Sequence, residues 1–314
     1  MHVGALERAG VTPAALIDPD PRRSALLGRP WPGVTIAPSP DLVVDDFDAA
    51  IVALPDQLHA PVVIELLQAG KDVLVEKPMA GTRAEAAAMV AAAAEAGRLL
   101  AVAQVRRHLA VKAWAFALLR SGALGAVLGV DAAQGGRDDW IAAGRGYVAQ
   151  AAGGVIVCSG VHTLDLLTWW FGPLDVVSCR DDARGWQEAN ATIELLAGAI
   201  PIHFELSRNR SRRNTIRVDT ERGLLEVALD HYQPRQLLAV PDGVDVEPFV
   251  EVVDDLPGQF DRQLRAFTDA LDGRWPPSLA TGADGVSIAR VVEDCLTCRT
   301  SDEPWWMASA ATPS

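Results

Sequence analysis

No stretch of this sequence is both long enough and free enough of charge to span a bilayer. Its most apolar run, AEAAAMVAAAAEAGRLLAVAQV, is interrupted by Glu85, Glu95 and Arg98, whereas a membrane helix needs about 20 apolar residues. Positive charge is also scarce. With 28 basic against 41 acidic residues and a net charge of −13, the chain has no electrostatic reason to approach DNA, RNA or an anionic membrane. The partner it predicts is a small molecule. Cysteine is rare as well: four in 314 residues build no disulfide framework. The lone CxxC, Cys295 and Cys298 in EDCLTCR, has no second ligand pair and reads as packing, so no metal is expected. Glu7 and Arg8 stand where a signal peptide carries its apolar core, which predicts a cytoplasmic protein.

What is present is the composition of an ordinary globular protein. Apolar residues make up 49% and charged residues 22%, and 314 residues suffice for about two domains with a substantial core. MHVGALERAG has helical spacing, TPAALIDPDP reads as a strand, and FDAAIVALP as another, followed by the helix DQLHAPVVIELLQAG. KDVLVEKP is a strand and TRAEAAAMVAAAAEAG a helix, with Thr82 as N-cap and Glu85 three residues on. RLLAVAQV adds one more strand. This alternation predicts a parallel sheet with crossover helices, an α/β Rossmann-like domain over 1–104. From SGALGAVLGVDAAQ onward the strands lengthen and alternate, and GGVIVCSGVHTLDLLTWWFG reads as a helix. Residues 105–314 are therefore an α+β domain with a large, mostly antiparallel open sheet, and GQFDRQLRAFTDALDG and GADGVSIARVVEDCLTC are its closing helices.

Two constellations carry chemistry. VLVEKPMAG puts Glu76 and Lys77 at the carboxyl end of a parallel strand, where open α/β sheets bind ligands. The chain has three lysines, Lys71, Lys77 and Lys112, against 25 arginines. An ammonium can donate to an alkoxide and shift its pKa in a way that a guanidinium cannot. A surface ion pair between Glu76 and Lys77 is the other reading of the same residues. In CSGVHTLDLLTWW, helical spacing places Cys158, His162, Asp165 and Trp169 on one face. His162 is then either a general acid/base near neutral pH or a hydrogen-bonded core histidine. Asp18, closing PAALI, is the kind of strand-end carboxylate that accepts ribose hydroxyls.

GKDVLVEKPMA, DFDAAIVALPDQLHAPVV and GGVIVCSGVHTLDLLTWWFG, in this order, resemble the Gfo/Idh/MocA family of nicotinamide-dependent oxidoreductases. LRSGALGAV and QFDRQLRAFTDAL extend the resemblance over about residues 2 to 298. It implies a Rossmann domain and a second domain whose open sheet joins subunits into a homo-oligomer, a dimer or tetramer. It also implies oxidation or reduction of a sugar or cyclitol hydroxyl. Lys77 would hold the reacting oxygen and His162 would transfer the proton. Asp18 would sit on the adenosine ribose and favour NAD over NADP, since a carboxylate repels a 2′-phosphate. Pro55 and His59 in LPDQLHA, with Glu76, would border the cofactor. VRRH would bring Arg106 or Arg107 to the site, and polar residues of GGRDDWIAAGRGYVAQ would select the substrate.

Two features depart from the family pattern. Cys158 stands four residues before the histidine, where the family usually has an aspartate, and Asp165 one turn on could stand in for it. No glycine-rich G-x-G-x-x-G turn opens the chain. MHVGALERAG corresponds to the body of the family's first helix, so the sequence begins roughly 15 to 20 residues into the usual fingerprint. The first strand and the phosphate cradle are then expected to be absent, with Met1 an internal methionine of a longer chain or the start of a repurposed member. The alternatives to a dehydrogenase are a non-catalytic, ligand-sensing member and an enzyme that cleaves glycosides by transient oxidation.

Overall fold

The computed structural model describes residues 1–136, 153–183, 187–229, 236–240 and 256–301. The segment DDWIAAGRGYVAQ, residues 138–150, lies outside them. Two compact units divide the chain: 1–113 with 252–289, and 114–251 with 290–314. Residues 252–289, which include the closing helix α7 (Leu256–Leu271), thus belong with the first unit.

The first unit alternates strands and helices. α1 (His2–Arg8) leads to β1 (Ala15–Ile17), α2 (Pro21–Leu27) and β2 (Thr35–Ala37), which pairs with β1 in parallel. Asp20 caps α2 by accepting from Arg22 N–H, and Pro21 fills its first turn, where a missing N–H costs nothing. β3 (Ala49–Val52), α3 (His59–Gln68), β4 (Asp72–Glu76), α4 (Arg83–Ala96) and β5 (Leu100–Ala103) follow. β3, β4 and β5 pair in parallel, and β13 (Ala280–Thr281) closes on β5 antiparallel. α4 starts with both arms of a capping box: Glu85 N–H donates to Thr82 Oγ1 and Thr82 N–H to Glu85 Oε2. It ends at Gly97, whose φ of 62° is left-handed and suits glycine.

Strand alternation sorts the core onto two faces. Val73 and Val75 of β4 pack with Val63 and Leu67 of α3 and Met89 of α4, while Leu74 between them packs with Ala101, Phe267 and Leu279. The sheet of this unit is nevertheless in two pieces. β2-β1 forms one and β13-β5-β4-β3 the other.

The second unit is built on one eight-stranded sheet in the order β12-β11-β10-β6-β9-β8-β7-β14. Its strands are β6 (Val127–Gly135), β7 (Asp175–Asp181), β8 (Asn190–Ala197), β9 (Ile200–Ser207), β10 (Thr215–Thr220), β11 (Gly223–Ala228), β12 (Gln236–Ala239) and β14 (Arg299–Ser301). Most neighbours are antiparallel, but β6 with β9 and β7 with β14 are parallel, so the sheet is mixed. One face carries buried apolar residues such as Ile193, Phe204 and Val218. The alternate residues carry charge: His203 bonds Glu194 at 2.7 Å, Arg212 pairs with Glu205 at 3.0 Å, and Arg213 pairs with Asp131. α5 (Ala110–Ser121), α6 (Val161–Phe171) and α8 (Gly282–Cys298) complete the helices among the described residues.

Candidate active site

In the first unit the candidate residues stand just beyond the carboxyl ends of parallel strands, because a βα turn presents its side chains there. Asp18 follows β1, Pro55 follows β3, Glu76 ends β4 with Lys77 next, and Arg106 follows β5. Asp18 Oδ1 accepts from Asp20 N–H at 2.8 Å, and its Oδ2 lies 3.2 Å from Arg23 Nη1. Arg23 is a neighbour that the sequence reading missed. It is a cation beside the carboxylate assigned to the ribose.

Glu76 is held from both sides. His2 Nε2 lies 2.8 Å from its Oε1, and the N–H of Lys77 donates to Oε2 at 3.1 Å. Burial by itself pushes this carboxyl up. The bond and charge of His2, the Lys77 N–H and the Lys77 ammonium outweigh it and hold the pKa below the ordinary value. Glu76 therefore stays ionised next to Lys77, which is half-buried at the strand end and precedes Pro78 across a cis peptide. His2 lies 74 residues away in sequence, and no local spacing could have announced it.

His59 is engaged on both ring nitrogens. Nδ1 lies 2.9 Å from Pro78 O and Nε2 2.9 Å from Leu54 O, with the residue 1% exposed. It ties the turn after β3 to the turn after β4 and thereby fixes the loop that carries Lys77. Pro55, by contrast, is exposed at the same rim. The two arginines of VRRH also separate. Arg107 is 2% exposed and its Nη2 lies 3.4 Å from Asp284 Oδ1, whereas Arg106 is half-buried. The next residue, His108, is buried between charges: burial first, then Arg262 and Arg107, lower its pKa to about 3.

In the second unit, Cys158 and His162 do not share one regular α-helix. Ile156–Gly160 form a π turn, and the α-helix α6 begins only at Val161. A π turn winds more slowly than an α turn and re-aims the side chains in it. Cys158 and His162 are half-buried, while Asp165 is 1% exposed, turned into the unit. Trp169 stacks on Phe116, with ring centres 4.4 Å apart. Thr163 Oγ1 donates to Gln134 Oε1 at 2.6 Å, which ties the first turn of α6 to β6.

The start of this helical segment is fixed by a buried carboxylate. Glu188, 2% exposed, accepts from Ile156 N–H at 3.0 Å, and its main-chain oxygen accepts from Val155 N–H at 3.0 Å. A negative group at a helix N-terminus meets donors without an intrahelical partner. Glu188 lies 26 residues beyond His162 and belongs to no motif, so no local spacing announces it.

All four cysteines are free, and the contact between buried Cys295 and Cys179, together with burial, pushes the Cys295 thiol well up. Among the described residues no group of three or more His, Cys, Asp or Glu is arranged to hold a metal ion. No helix among them is long and apolar enough to cross a membrane.

Comparison with known proteins agrees along the chain. Residues 1–104 match the family model described as oxidoreductase family, NAD-binding Rossmann fold, and residues 113–226 match the GFO/IDH/MocA C-terminal domain. Inositol 2-dehydrogenase 2 of Paenarthrobacter aurescens (strain TC1) is 29% identical over 301 residues, covering 91% of this chain and 87% of that protein. An oxidoreductase from Agrobacterium radiobacter, solved with NAD+, L-tartaric acid and magnesium, has the same fold. Its TM-score is 0.82 at 22% identity, covering 95% of this chain and 92% of that one. The 3-ketoreductase KijD10 from Actinomadura kijaniata, solved with NADP and TDP-benzene, gives 0.79 at 23% identity, covering 96% and 94%. With both of its parts matched in order and its fold shared over nearly its whole length, the chain belongs to the GFO/IDH/MocA family of oxidoreductases, and its N-terminal part is that family's NAD-binding Rossmann fold.

Proposed function

We propose that this protein moves a hydride between NAD and a hydroxyl-bearing carbon of a sugar or cyclitol. The observation that carries the reading is Lys77. It is half-buried at the end of a parallel strand, beside an ionised Glu76 and on a loop clamped by His59. A cation held in this way serves a reacting oxygen better than it serves a surface ion pair.

The residues present fit the two ends of a dinucleotide. Asp18 offers a shielded carboxylate at a strand end, where an adenosine ribose is held, and Lys77 marks the reacting end. Pro55 and Arg106 border the same rim, and His59 with Glu76 set its shape rather than its contacts. When bound, the nicotinamide accepts or returns the hydride. Lys77 donates a hydrogen bond to the substrate oxygen and stabilises its developing negative charge. His162 takes the hydroxyl proton in oxidation and returns it in reduction. Cys158 and Asp165, on the same helical segment, would support His162. The carboxylate at Asp18 favours NAD, and the open charged face of the eight-stranded sheet is the proposed surface of a homo-oligomer.

The test is a fluorescence titration with NADH, followed by turnover with a polyol and sugar panel. Lys77→Ala is expected to keep NADH binding while lowering kcat by about 10²- to 10³-fold, the usual effect of removing one donor to a developing oxyanion. Unchanged turnover in this variant refutes the role of Lys77. A folded wild-type chain that binds NADH but turns over no member of the panel supports the non-catalytic alternative.

A further inference from the structure

Four of the chain's arginines, Arg208, Arg210, Arg212 and Arg213, crowd into the short loop between β9 and β10. They divide into two pairs. Arg212 pairs with Glu205 at 3.0 Å and Arg213 with Asp131, on the charged face of the eight-stranded sheet. Arg208 and Arg210 have no carboxylate partner among the described residues, although the chain carries 41 acidic residues against 28 basic ones. Arg210 is exposed and can leave its charge to water. Arg208 is half-buried, and its Nε is buried without a hydrogen bond, which is costly for a charged group unless something else accepts from it.

The position of the loop says what that something is. β6 and β9 run in parallel, with Gly135 opposite Ser207, so the loop leaves their carboxyl ends. Gln134, one residue before Gly135, accepts from Thr163, the neighbour of His162. Along β9, Ile202, Phe204 and Leu206 turn inward. Leu206 lies against Gly160, two residues before His162, so closely that a Cβ on Gly160 would stand 2.8 Å from Leu206 Cδ1. Arg208 N–H still donates to Ala189 O at 2.9 Å, so the ladder continues past β9 and puts Arg208 on the same face as Leu206. That face is covered by the segment bearing Cys158 and His162.

The loop is also held in shape. Ser207 Oγ accepts from Arg210 N–H at 2.8 Å, and Arg212 N–H donates to Gly135 O at 3.3 Å. Asn214, with a left-handed φ of 55°, bonds Gly135 twice, accepting from its N–H at 2.8 Å and donating to its oxygen at 2.9 Å. A guanidinium fixed in this way presents a planar fork that matches a carboxylate or phosphate, whereas a neutral hydroxyl would meet one N–H and leave the charge uncompensated. In a chain of net charge −13, two such cations side by side are what draws an anion to one place.

We propose that Arg208 and Arg210 form an anion subsite at the end of the sheet that bears His162, and that the sugar or cyclitol handled there carries a carboxylate or phosphate group. Arg208 supplies the fixed fork, and Arg210 adds charge from the solvent side. The inference rests on His162 as the proton carrier and narrows the substrate class of that same site.

The experiment titrates D-glucuronate, D-glucose 6-phosphate and D-glucose into the 314-residue chain by calorimetry, with and without NADH. One or both anionic sugars are expected to bind about 10- to 100-fold tighter than glucose, the worth of a charge-assisted hydrogen bond. A tighter glucuronate assigns the anion as carboxylate and a tighter glucose 6-phosphate as phosphate, and either supports the subsite. The variant Arg208→Gln with Arg210→Gln, checked for folding by circular dichroism, should lose the preference. Should it not fold, exposed Arg210→Gln alone is expected to shrink the preference, and added NaCl to weaken binding of the anionic sugars but not of glucose. Anionic sugars that bind no tighter than glucose or not at all, or a preference intact in the folded double variant, overturn the proposal. Turnover confined to neutral polyols overturns the subsite and leaves the hydride reaction standing, whereas tight anion binding without turnover of any sugar supports the subsite and removes the reaction.

Discussion

Gly154→Ala is the sharpest test of how the helix bearing Cys158 and His162 is held. A Cβ at residue 154 would lie 2.0 Å from the Glu188 carboxyl carbon and within 2.2 Å of both its oxygens. Those atoms cannot swing into solvent, because Glu188 is 2% exposed and its Oε1 is bound to Ile156 N–H at 3.0 Å. The methyl group must displace the carboxylate. Losing a hydrogen bond to a charged group costs about 1.5–3 kcal/mol, and overpacking costs about 1–3 kcal/mol. A total near 3–5 kcal/mol lowers Tm by about 6–20 °C in a unit of this size. Scanning calorimetry of the second unit's transition is the assay. The double variant Gly154→Ala with Glu188→Ala removes the clash and is expected to lose less than the two single changes added together. A Tm within about 2 °C of wild type for Gly154→Ala, or strict additivity in the double variant, refutes the reasoning.

The remaining predictions concern separate sites. His162→Ala should lower kcat by about 10²- to 10⁴-fold and remove one limb of the pH–rate profile; a profile that keeps its shape rejects His162 as the proton carrier. His108 stays neutral in the fold because its pKa is lowered to about 3, while in the unfolded chain it protonates near 6.5. Stability is therefore complete above that range and falls as pH drops from about 6.5 towards 3, by about 2 kcal/mol on reaching pH 5. His108→Asn should flatten this acid limb in urea melts at pH 7 and 5, and an equal slope in both proteins would contradict the assignment. Thr82→Ala removes the exposed cap of α4 and should cost about 1 kcal/mol, seen as a Tm lower by about 2–4 °C.

The sequence by itself determined whatever is encoded within a few neighbouring residues. The capping box of Thr82 and Glu85, the alternation of Val73, Leu74 and Val75, and the placement of Asp18 and Lys77 at strand ends follow from local periodicity and turn chemistry. β2, with three residues, is too short for its period to register. Tertiary structure alone decided the partners of buried polar groups. His2 on Glu76, Leu54 and Pro78 around His59, Glu188 at the head of the helical segment that carries Cys158 and His162, and Arg23 beside Asp18 depend on which atom lies across a gap in space. It also decided the π turn under Cys158, which no helical spacing announces, and the membership of α7 in the first unit. Periodicity says which side of an element is buried. The cost of leaving a buried charge or main-chain group unpaired then selects its partner, and that cost is set only when distant segments meet.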